Sequence, residues 1–299
     1  MRLAGILAVL AVAACGGSAV PPAPSQDETL ARNARAGRLA LELDRPIEAA
    51  RLYGQALARA RERDDAEAIA DAATGLAAAE LDRGRPREAL EVARATRVEL
   101  GRRAVPAPAA LSLAEAVALY RLGDNAGASA AAGRAADTAG DDVDALRRAI
   151  FLRGLVAAAR GDRDGLASAR QSLGTSPEGA FQADARELEA LTALAAGDVT
   201  GARDAAAAAA EARRDAMDYR GLSRALAIQA EAAHRAGDGA AAADLWLRAG
   251  RGASRRGEDA EARRWLMAAQ TEGRRSGQPE IVDAARAELR DLEAGGDRR

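Results

Sequence analysis

A glycine–polar turn returns along this chain about every forty residues. It reads LDRPIEAA from Leu43, RGRPREAL from Arg83, LGDNAGAS from Leu122 and RGDRDGLA from Arg160. It continues as AGDVTGAR from Ala196, AGDGAAAA from Ala236 and SGQPEIVD from Ser276. Marked by the glycine, or by Asp44 in the first, the positions are Asp44, Gly84, Gly123, Gly161, Gly197, Gly237 and Gly277. The steps are 40, 39, 38, 36, 40 and 40 residues. A step of this size sustained over seven units marks an array, in which each unit closes its apolar face on the next. Each unit reads as a helical hairpin. Glycine provides the left-handed cap of the first helix. Pro46, Pro86 and Pro279 sit where a first helical turn tolerates proline. AVPAP (Ala104–Pro108), AGDD (Ala139–Asp142), GTSPEG (Gly174–Gly179) and RRGED (Arg255–Asp259) separate units.

Composition sets the kind of packing. Hydrophobic residues make up 48% of the chain but aromatics only 2%, and alanine dominates. A core of small side chains needs close backbone approach, which alanine-lined helices achieve, and alanine has the best helix propensity. Strand-forming residues are sparse. The expectation is an all-α solenoid of about seven helical hairpins over residues 29–295. All 43 basic residues are arginine, so no Schiff-base or phosphate-loop lysine exists.

The offsets from the marker carry a resemblance. Seven residues before it stand Gly37, Ala77, Ala116, Gly154, Ala190, Ala230 and Gln270. Five after it stand Ala49, Ala89, Ala128, Leu166, Ala202, Ala242 and Val282; nine after, Tyr53, Ala93, Ala132, Arg170, Ala206, Trp246 and Arg286. Twelve after it stand Ala56, Thr96, Ala135, Leu173, Ala209, Ala249 and Leu289. Small, aromatic and small residues on one face of the second helix resemble the tetratricopeptide repeat. Units one and six match best, unit four departs at Leu166 and Arg170, and unit seven at Gln270. The resemblance implies a right-handed superhelix. The period exceeds that family's usual step, so the extra residues lengthen either the helices or the inter-unit loops. Another helical-hairpin solenoid would share the period.

The N-terminus reads as a targeting signal. Met1-Arg2 is a minimal positive region and Leu3–Val12 an apolar run too short to span a bilayer. Val12-Ala13-Ala14-Cys15 resembles the lipobox of bacterial lipoproteins, which implies cleavage before Cys15 and acylation of the only cysteine. The alternative is an incidental cysteine behind an ordinary signal. Expected boundaries are 1–14 signal peptide, 15–28 lipidated cysteine and Gly/Pro/Ser tether, 29–295 repeat domain and 296–299 disordered tail. Gly16, where enterobacterial lipoproteins retained in the inner membrane carry Asp, implies an outer-membrane lipoprotein facing the periplasm.

Chemistry is sparse. His234 is the only histidine and no G-x-S-x-G elbow occurs. No catalytic, metal or cofactor site is expected. Carboxylate pairs such as Asp64-Asp65, Asp141-Asp142 and Glu258-Asp259 fall at turns, where they suit helix starts. The formal net charge of −2 gives no reason to expect nucleic acid. Arginine pairs (Arg147-Arg148, Arg213-Arg214, Arg255-Arg256, Arg263-Arg264, Arg274-Arg275) read as a solvated face, or as a patch for an acidic partner or lipid. Tyr53, Trp246 and Trp265 read as packing residues. In a curved hairpin stack the first helices line the concave side. Positions two, three, six and ten before the marker expose Arg38, Leu41, Leu81, Leu113, Tyr120, Arg121, Phe151, Leu155, Leu191, Leu194, His234 and Arg235. The expected function is a non-catalytic scaffold that holds a protein or peptide of the cell envelope there, with Arg121 and Arg235 available for acids. The rival is an enzyme, or enzyme-activating subunit, that acts on peptidoglycan through groove carboxylates. Oligomeric state stays open, including self-association.

Overall fold

The computed structural model describes residues 27–174 and 181–296. Among them are fourteen α-helices and no strand. Residues 1–26, with Cys15 and the signal and tether, lie outside the described residues, as do 297–299. The helices are α1 (Glu28–Glu42), α2 (Pro46–Glu62), α3 (Ala66–Asp82), α4 (Pro86–Arg102), α5 (Ala109–Arg121), α6 (Asn125–Thr138) and α7 (Val143–Arg160). They continue as α8 (Arg163–Leu173), α9 (Gln182–Ala196), α10 (Val199–Asp215), α11 (Tyr219–Arg235), α12 (Gly239–Arg255), α13 (Asp259–Arg275) and α14 (Pro279–Gly296). Every marker turn joins the two helices of one hairpin. Helix α1 begins at Glu28, capped by Asp27, so its start falls inside the last residues of the expected tether.

The turns explain the forty-residue step. All seven markers have positive φ, from 55° at Asp44 to 83° at Gly197. Between hairpins Asp64, Ala104, Gly140, Gly174, Met217 and Gly257 do the same, at 52° to 72°. A left-handed residue reverses the chain at once. After a marker turn the second helix of the hairpin starts in one of two ways. Asp124, Asp162, Asp198 and Asp238 accept from a backbone N–H three residues on, at 2.8–3.0 Å. Where aspartate is missing, Pro46 and Pro86 occupy the first turn, where a missing N–H costs nothing. Helices of seventeen residues with three-residue turns recur in α2, α3 and α11 to α13. In those hairpins the extra residues lengthen the helices, whereas between α4 and α5 and between α8 and α9 they lengthen the connection, to six and eight residues.

Small residues sit where helices touch. Ala49, Ala56, Ala77, Ala89, Ala116, Ala128, Ala202, Ala230, Ala242 and Ala249 have no exposed surface. In unit four Leu166 fills the alanine position and is buried, while Arg170 turns outward on a second helix of only eleven residues. The Tyr53 ring is a wedge between α1 and α3. A methyl on Gly37 would lie 2.9 Å from it, and a methyl on Gly75 would overlap it.

The stack also meets itself. The hairpin turns of α1–α2 and α3–α4 lie on one edge of the array, and the α12–α13 turn lies on the other. They touch. Arg256 Nη1 donates to Asp44 at 3.1 Å across 212 residues of sequence. Arg220 Nη1 donates to Asp82 at 2.6 Å across 138. A Cβ on Gly84 would lie 2.5 Å from the Gly257 carbonyl oxygen. The repeats thus complete one superhelical turn and seal it with a polar seam.

The wedge is testable. Gly75→Ala, which must displace the Tyr53 ring, should lower stability by about 1–3 kcal/mol despite alanine's better helix propensity. Gly54→Ala in α2, where no atom lies within 4 Å, should raise it by about 0.5–1 kcal/mol. Urea midpoints of the two variants, shifted in opposite directions, are the check.

Candidate functional site

Inside the sealed turn, α3, α5, α7, α9, α11 and α13 face a chamber. It has two lobes, of about 640 Å³ and 450 Å³, which share Tyr120, Leu155, Arg224 and Trp265. The larger lobe adds Leu81, Leu113, Val117, Phe151, Arg121, Arg148, Glu258 and Glu261. The smaller adds Leu191, Leu194, Ile228, Glu187, Trp246 and Arg264. Each lobe falls in the size range of ligand sites, and an apolar and aromatic lining is interspersed with charges of both signs, Asp142, Asp144 and Glu231 among them.

Eight of the twelve sequence candidates line this chamber: Leu81, Leu113, Tyr120, Arg121, Phe151, Leu155, Leu191 and Leu194. Four do not. Arg38 and Leu41 belong to α1, and Leu41 packs against the cluster of Ala40, Ala49 and Tyr53. His234 is held by Glu272, Nδ1 to Oε2 at 3.2 Å, with its ring 5.6 Å from that of Trp246. Arg235 pairs with Glu231 at 2.7 Å, and its Nη1 donates to the Leu194 carbonyl at 2.9 Å.

That last bond corrects the expectation that Arg121 and Arg235 await acidic groups. Arg121 Nη1 donates to the Leu81 carbonyl at 2.6 Å in the same register. Each arginine, two before its marker, satisfies a carbonyl at the end of the previous unit's first helix. Each carbonyl also accepts from the N–H of its marker glycine, Gly84 at 3.2 Å and Gly197 at 3.1 Å. Burial, and then Arg220 nearby, hold the Arg121 pKa down to about 10, so it stays charged at neutral pH.

An inward register was missed at thirteen before the marker. It holds Arg148, Arg224 and Arg264, and all three line the chamber. Their spacing from Gly161, Gly237 and Gly277 was the available signal. Trp265 was read as packing only. It is 5% exposed in the α11–α14 core and lines both lobes as well. The arginine pairs are likewise not one solvated face, since Arg213 is buried and Arg256 sits in the seam.

Most of the charges around the chamber are paired within the protein. Glu187 is fully buried; it accepts from Arg213 Nη2 at 2.8 Å and Arg224 Nε at 2.7 Å. Arg213 also bonds Asp184 and Asp218. Its guanidinium lies 5.4 Å from the centre of the Phe151 ring, and that of Arg224 lies 5.7 Å away. Burial raises the Asp184 pKa against the pull of Arg213. Glu258 lies 3.1 Å from Arg220 and 4.0 Å from Arg121. Asp142 caps α7. These carboxylates are committed to structure. No group of three or more His, Cys, Asp or Glu among the described residues could hold a metal ion.

No family model matches the chain, and no curated protein matches it. Solved structures do. A tetratricopeptide repeat protein from Parabacteroides merdae superposes with a TM-score of 0.52 at 14% identity, covering 87% of this chain and 99% of its own. A Rap protein, solved in complex with Competence and Sporulation Factor, superposes with a TM-score of 0.57 at 12% identity, covering 93% and 90%. The fold is thus a tetratricopeptide-like array of helical repeats.

Two substitutions probe the buried charges. Burial, with Glu258 adding to it, raises the Glu261 pKa. The folded state therefore holds that proton more tightly than the unfolded one, and the carboxylate costs stability above its folded pKa but not below the ordinary value of 4.5. Glu261→Gln should stabilise the protein at pH 7, with the gain gone near pH 4; urea unfolding at both pH values tests the sign. Arg213→Met strands the buried Asp184 and leaves Glu187 with Arg224 alone, and should cost about 3–5 kcal/mol by the same measurement.

Proposed function

We propose that the protein is a non-catalytic scaffold that holds a protein or peptide partner in its interior chamber. The observation that carries this reading is the chamber itself: inward apolar and aromatic side chains from six helices, with most nearby carboxylates already bonded to arginines or helix ends. A Rap protein of the same fold has been solved with Competence and Sporulation Factor bound, which supports a binding role. The engagement of Glu187, Glu258 and Asp142 weighs against the peptidoglycan-acting alternative, which needs a free pair to donate and accept a proton; Glu261, on the wall of the larger lobe with a raised pKa, is the carboxylate on which that alternative would turn.

The scaffold works, in this proposal, as a lipoprotein of the cell envelope, anchored through Cys15 in the outer membrane and facing the periplasm. The support is the sequence Val12-Ala13-Ala14-Cys15 after its short apolar run. Among the described residues no helix is long and apolar enough to cross a membrane, so attachment would rest on the acyl chains. Several buried chains give firm anchoring at about 0.8 kcal/mol per CH₂. Between Cys15 and Asp27 the Gly/Ser/Pro-rich segment would act as a spacer.

Partner capture from crosslinked membranes tests the reading. The captured partner should be retained by the unaltered chain and reduced at least about tenfold by Tyr120→Ala, as expected when an aromatic anchor is removed. Cys15→Ser should shift the chain from the membrane to the soluble fraction. Capture that ignores Tyr120, or release of fragments from peptidoglycan by the full chain, would overturn the scaffold reading.

A further inference from the structure

We infer that the polar seam is a latch, and that its opening gives side access to the chamber. In a repeat array each unit normally touches only its neighbours, and the apolar clusters here obey that rule. One gathers α11 to α14, another runs from α4 through α9, and a third from α1 to α5. None joins the first two hairpins to the last two. Only the seam does so, and its contacts are polar.

Its centre is Glu258. That carboxylate lies between two arginines, with Arg220 Nε at 3.1 Å and Arg121 Nη2 at 4.0 Å. Arg220 adds bonds to the Asp82 carboxylate at 2.6 Å and to the Leu81 and Asp82 carbonyls at 3.2 and 3.0 Å. Arg256 closes the outer end, bonding Asp44 and lying 5.1 Å from the centre of the Tyr219 ring. Two guanidiniums on opposite sides of the seam therefore share one carboxylate. Remove that charge and the two guanidiniums face each other as like charges, with the bonds of Arg220 to Leu81 and Asp82 left to hold the edges.

The two kinds of contact respond differently to salt. Apolar packing between neighbouring units persists, whereas the seam's pairs to the exposed carboxylates of Asp82 and Asp44 weaken as ions screen them, and the more buried Glu258 pair weakens less. The seam therefore separates while each hairpin keeps its packing. Closed, the chamber is reached along the superhelix axis. Open, it admits a helix or chain segment from the side. This goes beyond the scaffold reading and does not depend on it, since it concerns the molecule before any partner binds.

The test uses the full chain with Cys15→Ser, so that introduced cysteines alone carry spin labels. Arg87 and Ala260 flank the seam on opposite sides and take the labels as cysteines. Double electron–electron resonance then reads the distance between them. At low salt one short distance is expected. In about 1 M salt, where screening acts within about 3 Å, a longer distance should grow. In Glu258→Gln and in Arg220→Ala the open-to-closed ratio should rise at least about tenfold, equivalent to about 1.4 kcal/mol. Acrylamide quenching of the chamber residue Trp265, measured with Trp246 changed to phenylalanine, should increase in parallel. Helix content by circular dichroism should stay constant. The salt arm decides alone if either seam variant fails to fold. An unchanged single distance in high salt and in both variants overturns the latch, and so does a lengthening matched by loss of helix.

Discussion

One backbone constraint organises this protein: a residue in the left-handed region at each of the thirteen junctions between the described helices. At ten of the junctions the chain reverses within three positions, so each of those helices lies against the one before it. Nine of the thirteen are glycine. Asp44, Asp64, Ala104 and Met217 accept the same geometry against the steric cost of a Cβ. With reversal enforced, side-chain size sets the spacing. Alanine at the contacts draws the backbones close, and over many junctions the small offsets between hairpins accumulate into curvature.

Curvature turns a list of helices into a container. The accumulated curvature brings one edge of the array to the other. The seam that results differs in kind from everything else that holds the chain together. Elsewhere stability comes from fully buried alanine and leucine. At the seam it comes from guanidiniums, carboxylates and main-chain carbonyls. Inside, arginines stand over aromatic rings and bridge buried carboxylates, so the charge that enters the chamber wall is compensated there.

Arginine is where reading by position reached its limit. Arg121 and Arg235 face the concave side, as their register demands, yet they serve the carbonyl ends of neighbouring helices. Their partners are main-chain atoms, which a pattern of side chains does not show. Arg148, Arg224 and Arg264 stand eleven residues, about three turns, further back and line the chamber, at a fixed spacing from the markers. Trp265 illustrates a different limit. A large ring between packed helices is both core and wall, and sequence alone assigns it to only one.

Helix, turn and repeat are local properties. A glycine, a capping aspartate or a first-turn proline acts within a few residues, and an alanine every few positions sets the face that packs. These were legible from residues 29 to 295 before any coordinates, down to the seven marker turns. Closure was decided only in three dimensions. It depends on small rotations summed over several hairpins, which bring Arg220 to Asp82 and Arg256 to Asp44, and no local pattern encodes a sum. Which inward side chains share the chamber, and which are left on α1 outside it, follows from that closure.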